Sequence, residues 1–112
     1  MTIQRSHWTG ISGQTYSYFV HQLGKCFRSS SGNYIFARKI SPTSHEAIYI
    51  GQSEDLKELS DNHPKMRCII RKGATHVHVH EGQSGKTVRA TEEQDLIAHY
   101  HPPCNYGGRP KK

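Results

Sequence analysis

The chain predicts a small α+β domain: a three-stranded, mainly antiparallel sheet flanked by helices. Three observations predict it. β-prone runs at 33–40, 47–50 and 75–80 are each bounded by turn signals. Helix signals follow the second and third of those runs, which gives the order strand, strand, helix, helix, strand, helix. The length of 112 residues admits one modest core and no second one.

Residues 1–14 are rich in Ser, Thr and Gly and read as an arm or loop. Tyr16-Ser17-Tyr18-Phe19-Val20 is β-prone but could equally begin a short helix. Ser29-Ser30-Ser31-Gly32 turns the chain, and Asn33–Ile40 is a strand that Ser41-Pro42-Thr43-Ser44 ends. Ala47-Ile48-Tyr49-Ile50 returns beside it as a hairpin. Ser53 is placed as an N-cap, with Glu54 and Asp55 in the first turn where the helix dipole favours negative charge. That helix ends before His63-Pro64, and Lys65–Lys72 forms a second short one, basic on one side. Thr75-His76-Val77-His78-Val79-His80 alternates with the period of a half-buried strand. Thr91–Tyr100 is a helix with Leu96, Ile97 and Tyr100 inward, stopped by Pro102-Pro103. The expected divisions are an extension over 1–31, a domain over 32–106 and a basic tail over 107–112.

Hydrophobic residues make up 33% of the chain and mean hydropathy is −0.78, so the core is lean. A formal charge of +6 favours anionic partners, nucleic acid first. The three cysteines are widely spaced and form no CxxC pair, which speaks against a zinc ribbon or disulfide framework and for reduced thiols. No apolar run approaches the roughly 20 residues of a membrane span, and the N-terminus lacks an apolar h-region. A cytoplasmic protein with no membrane partner is the expectation.

Tyr34 lies two residues after Gly32, and Tyr49 two before Gly51. Glycines at both places let the phenols come together and let a substrate backbone approach. Glu93 lies one turn before Leu96 and Ile97, so its carboxylate starts on the sheet-facing side, a suitable ligand for a hard divalent cation. Asn105 is placed to hydrogen bond the Glu93 region. His76, His78 and His80 share one strand face. Same-face neighbours on a flat strand are ~6.5–7 Å apart, which suits a polar face better than one shared ion. The basic run Lys65, Arg67, Arg71 and Lys72 and the tail residues Arg109, Lys111 and Lys112 are candidate phosphate contacts, as is Arg38. Trp8 reads either as a base-stacking group or as a lid over the core.

Together these residues resemble the GIY-YIG nuclease domain. Gly32-Asn33-Tyr34 stands for the first tripeptide and Tyr49-Ile50-Gly51 for the second. Glu93-Gln94-Asp95-Leu96-Ile97 followed by Pro102-Pro103-Cys104-Asn105 matches the closing pattern. The resemblance implies a DNA endonuclease with one divalent metal, Mg²⁺ or Mn²⁺, on Glu93. It implies that Tyr49 or Tyr34 orients or deprotonates the attacking water, that His63 is a base or phosphate contact, and that Asn105 supports the Glu. Small nucleases of this kind often act as homodimers. The family arginine belongs at position 59, and the residue there is Leu59. Removing a group of that kind typically costs on the order of 10²–10³ in rate. Three accounts follow: a lineage that kept binding and lost cleavage, an inactivating substitution in a complete site, or a substitute cation among Arg38, Lys57, Arg67 and Arg71. The alternative from another class is a non-catalytic nucleic-acid-binding module.

Overall fold

The computed structural model describes residues 4–60, 63–82 and 85–106. It corrects the expected architecture. The sheet has five strands, not three: β1 (Arg5–Thr9), β2 (Thr15–Gln22), β3 (Gly32–Ser41), β4 (Ser44–Ser53) and β5 (His76–Glu81). Their order across the sheet is β1-β2-β5-β3-β4, and every pairing is antiparallel. The helices are α1 (Met66–Arg71) and α2 (Lys86–Tyr100), with 3₁₀ turns at Leu56–Ser60 and Pro103–Tyr106. The fold is therefore mostly β.

The two additional strands come from the segment read as an arm and from the ambiguous run at 16–20. Five residues, Arg-Ser-His-Trp-Thr, carry no apolar alternation of their own. They become a strand because Trp8 finds a long-range partner set. Its ring packs edge-on against His78 and Tyr100, and its indole N–H donates to Ser6 Oγ at 2.9 Å. Trp8 is thus a buried core residue.

β3 is buried without interruption from Gly32 to Ala37 because both faces of the sheet are covered. On one face Tyr34, Phe36, Ile48, Val77 and Val79 pack with Leu56, Leu59, Ile69 and Cys104. On the other, Trp8, Tyr18, Ile35, Ala37, Ala47 and Ile50 pack under Leu96 of α2. Gly32 lies where β5 comes closest. An added Cβ would stand 2.7 Å from the His80 carbonyl oxygen and 3.0 Å from Glu81 Cα, so β3 and β5 could not keep their spacing.

α2 begins at Lys86, five residues before the expected start. It ends at His101, whose φ of 47° is the left-handed conformation that closes a helix, with its N–H on the Ile97 carbonyl. Ser53 caps as expected, its Oγ accepting from Asp55 N–H at 2.9 Å, but the turn that follows is 3₁₀.

Cys68 of α1 and Cys104 form a disulfide, which corrects the expectation of reduced thiols. The bridge closes 36 residues of sequence and restricts the unfolded chain by about 4 kcal/mol. Cys26 is exposed and free. No helix is long and apolar enough to cross a membrane among the described residues.

The polar face expected for the β5 histidines is buried at its middle residue, while His76 and His80 stay partly exposed. Val77 and Val79 do face one core, but His78 is wholly buried in the other. Its Nδ1 lies 2.7 Å from Ser6 Oγ. His80 Nδ1 lies 2.8 Å from Glu92 Oε2, which also accepts from Tyr18 Oη at 2.6 Å. Burial, then the nearby His45, His76 and His21, lowers the His78 pKa from 6.5 to about 3. The folded-state value is below the unfolded one, so the unfolded chain takes up this proton first as pH falls. Stability is full above about pH 6.5 and drains away toward pH 3. The expected loss by pH 4 is a few kcal/mol, on the order of 3. Urea unfolding at pH 7 and pH 4 measures it. A loss of the same size in a folded His78→Gln variant would assign the acid sensitivity elsewhere.

Candidate active site at the β3–β4 hairpin

Tyr34 of β3 and Tyr49 of β4 project from the same face of the hairpin, their rings stacked at 6.1 Å between centroids. Gly51, opposite Tyr34 in the ladder, makes this arrangement fit. A Cβ at position 51 would sit 2.6 Å from Tyr34 Oη and 3.0 Å from Tyr49 Cε2. Between β4 and α1, His63 brings its ring edge-on to both phenols, at 5.8 and 5.0 Å between centroids.

The hydrogen bonds give these three side chains a direction. Lys65 N–H donates to His63 Nδ1 at 3.0 Å, so the proton of the neutral ring sits on Nε2. That Nε2–H then donates to Tyr34 Oη at 2.8 Å. The Tyr34 ring stacks on that of Tyr49, and its hydroxyl is the neighbour that lowers the Tyr49 pKa, while Tyr49 raises that of Tyr34. Burial, with Lys65 next, lowers the His63 pKa and keeps the ring neutral. Burial raises Tyr34 most, with Tyr49 and Glu93 adding to it. Burial and Glu93 also raise Tyr49, and the Tyr34 hydroxyl alone opposes them. Both phenols are thus held in the protonated form, and Tyr49 is the more exposed of the two.

Glu93 is half-buried at the middle of α2, and its charge reaches both phenols. Burial raises its own pKa. Asn105 does not hold the Glu93 region. Its Oδ1 accepts from Ile50 N–H and its Nδ2 donates to Ile50 O, each at 2.8 Å. It pins the main chain between Tyr49 and Gly51.

Leu59 is not at the site. It is 4% exposed and packs in the first core, beside an apolar cavity of about 220 Å³ that Phe27, Phe36, Met66 and Val77 also line. The 3₁₀ turn aims this position inward, whereas an arginine that holds a phosphate would have to face outward. Among the candidate substitutes, Arg38 is engaged with Glu46 at 2.8 Å. Arg67 and Arg71 lie exposed on α1, with Lys65 and Lys72 at its two ends, and Lys57 is exposed beside Leu59. Arg109, Lys111 and Lys112 lie outside the described residues.

Two residues that the sequence reading passed over brace the site. Asn33 Nδ2 donates to the Arg89 carbonyl, and Arg89 Nε donates to Gln52 Oε1, each at 2.9 Å. Both bonds tie the first half of α2 to the hairpin and so place Glu93. The spacing of Arg89 and Glu93, four apart on one helix face, was the available signal. A helix begun at Thr91 hides it.

No three or more His, Cys, Asp or Glu side chains stand together as a metal cluster among the described residues. Glu93 is a single carboxylate, which fits an ion that keeps most of its ligands as water and substrate phosphate, the habit of Mg²⁺. No family model, no curated protein and no solved structure matches this chain.

Proposed function

We propose that this chain is a metal-dependent nuclease of the GIY-YIG kind that binds DNA and hydrolyses a phosphodiester bond. The observation that carries the reading is the hydrogen-bond chain from Lys65 N–H through His63 to Tyr34, with Tyr49 stacked on Tyr34 and both phenols in the field of the Glu93 carboxylate. Such a chain has work to do when a proton arrives at Tyr49. Tyr49 would take the proton of an attacking water once positive charge beside it offsets the burial and the Glu93 charge that keep it protonated, and the Tyr34 hydroxyl already works in that direction. Glu93 is the residue that would hold one Mg²⁺ or Mn²⁺, which when bound supplies positive charge for the phosphate. The exposed cations of α1, beside His63, supply sequence-independent contacts to the DNA backbone. We place the protein in the cytoplasm, where a disulfide is typically a transient, redox-sensing pair.

The test is nicking of supercoiled plasmid with Mg²⁺ or Mn²⁺ by the chain, by Glu93→Gln and by Tyr49→Phe. Cleavage by the chain is expected to be weak and to fall by about 10²-fold or more in either variant. A chain that never nicks, or whose nicking survives Glu93→Gln, overturns the reading.

The inward position of Leu59 favours a second reading, a nucleic-acid-binding module that no longer cuts. It requires salt-sensitive DNA affinity, independent of metal and of Glu93.

A further inference from the structure

The candidate site is built in two halves of different rigidity. Tyr34, Tyr49 and Gly51 belong to the sheet, and Glu93 to a helix of 15 residues packed on it. His63 and Asn105 belong to neither. His63 lies just before α1, a six-residue helix with one buried side chain, Ile69. It is joined to that helix by Met66 N–H on its carbonyl at 3.0 Å and Lys65 N–H on its ring at 3.0 Å. Asn105 lies in the 3₁₀ turn Pro103–Tyr106, which packs on β4. The Cys68–Cys104 bridge joins these two segments to each other. Cys68 is in α1, and Cys104 is the residue before Asn105.

We propose that the Cys68–Cys104 bridge is a reducible clamp on the site, closed when oxidised and released by a dithiol reductant. The clamp acts at both ends. On one side it holds α1, and with it the His63 ring on Tyr34. On the other it holds the turn whose Asn105 fixes the Ile50 backbone between Tyr49 and Gly51. Opening it leaves α1 attached through Ile69 and the partly buried Met66, and frees the segment that sets the His63 tautomer.

The chemistry is ordinary thiol–disulfide exchange. A thiolate of the reductant attacks Sγ of Cys68, the half-buried partner, while Cys104 is fully buried. The S–S bond breaks and Cys104 leaves as a thiolate that takes up a proton. The reductant's second thiol then attacks the mixed disulfide and releases Cys68 as a thiol. Two electrons and two protons pass from the dithiol, which ends as a disulfide.

The sheet and α2 have their own contacts, so release is expected to be local. Thiol titration of the denatured, unreduced chain should find the thiol of Cys26 alone, and after dithiothreitol the thiols of all three cysteines. Hydrogen exchange at the Ile50 amide should quicken about tenfold or more on reduction, with the Val77 and Val79 amides of β5 still protected. The Tyr34–His63 contact, read from the His63 ring by NMR, should weaken with it. The Cys68→Ser, Cys104→Ser double variant should match the reduced protein and ignore dithiothreitol. Identical Ile50 exchange in both redox states overturns the clamp. So does loss of β5 protection on reduction, which makes the bridge a general staple. The nicking consequence, a fall of about tenfold reversed by reoxidation, rests on the nuclease reading. Absence of nicking in the oxidised chain defeats that reading, while the exchange measurement still decides the clamp.

Discussion

Replacing Leu59 by arginine is expected to destabilise the domain and to bring no gain in cleavage. The leucine is 4% exposed among Phe36, Leu56, Ile69 and Val77, with Cys104 in the same cluster. Truncating such a side chain alone costs about 2–5 kcal/mol, and an unpaired guanidinium there adds several more unless it escapes to water. A domain of this size has about 5–15 kcal/mol in all, so the variant should be largely unfolded or strongly lowered in Tm. The 220 Å³ cavity beside Leu59 is lined mostly by apolar side chains and also by Lys25, a like charge for any arginine that enters it. Thermal unfolding and near-UV circular dichroism measure the fold, and plasmid nicking measures the function. A variant with unchanged Tm that nicks faster than the parent chain would show that this turn can present position 59 outward, against the packing described above.

Gly51→Ala is expected to act in the opposite way, with a large effect on activity and a modest one on stability. The new methyl would occupy the space of the Tyr34 hydroxyl, at 2.6 Å, and press on the Tyr49 ring. One of the phenols has to turn away, which breaks either the Tyr34–His63 hydrogen bond or the Tyr34–Tyr49 stack. Overpacking of this kind costs about 1–3 kcal/mol, which the fold can absorb. Losing the aligned proton acceptor should cost about 10²-fold in nicking. The useful comparison is Tyr49→Phe, which removes the acceptor without moving the backbone. Equal losses in the two variants, with Gly51→Ala still folded, support Tyr49 as the acceptor. Undiminished nicking by Gly51→Ala would mean that the stacked arrangement of Tyr34 and Tyr49 is not the working one.

Much of the site was legible because its parts lie next to strong local signals. Tyr34 and Tyr49 sit on runs whose β-branched and aromatic content marks strands, and the glycines beside them mark close approach. Glu93 is recognisable by its phase relative to Leu96. The direction of the hydrogen-bond chain was not legible. It depends on one backbone N–H, that of Lys65, reaching His63 Nδ1, and no residue type announces that contact. The task of Asn105 was misjudged for a similar reason, since its amide satisfies a strand backbone and not a carboxylate.

The residue identities by themselves determined the hairpin of β3 and β4, the strand period at 76–81, the helix that carries Glu93 and the glycines that tyrosine packing requires. Local propensity and period suffice for these, because the deciding interactions lie within a few residues. Only the tertiary structure decided that residues 5–9 form a strand, that His78 of β5 is buried, that Cys68 meets Cys104 and that Leu59 points into the core. Each of these is set by a partner far away in sequence, such as Trp8 against Tyr100 or Leu59 against Phe36 and Val77. His78 takes a buried place because a distant hydrogen-bond partner, Ser6, makes burial affordable, and such pairs leave no periodic trace along the chain.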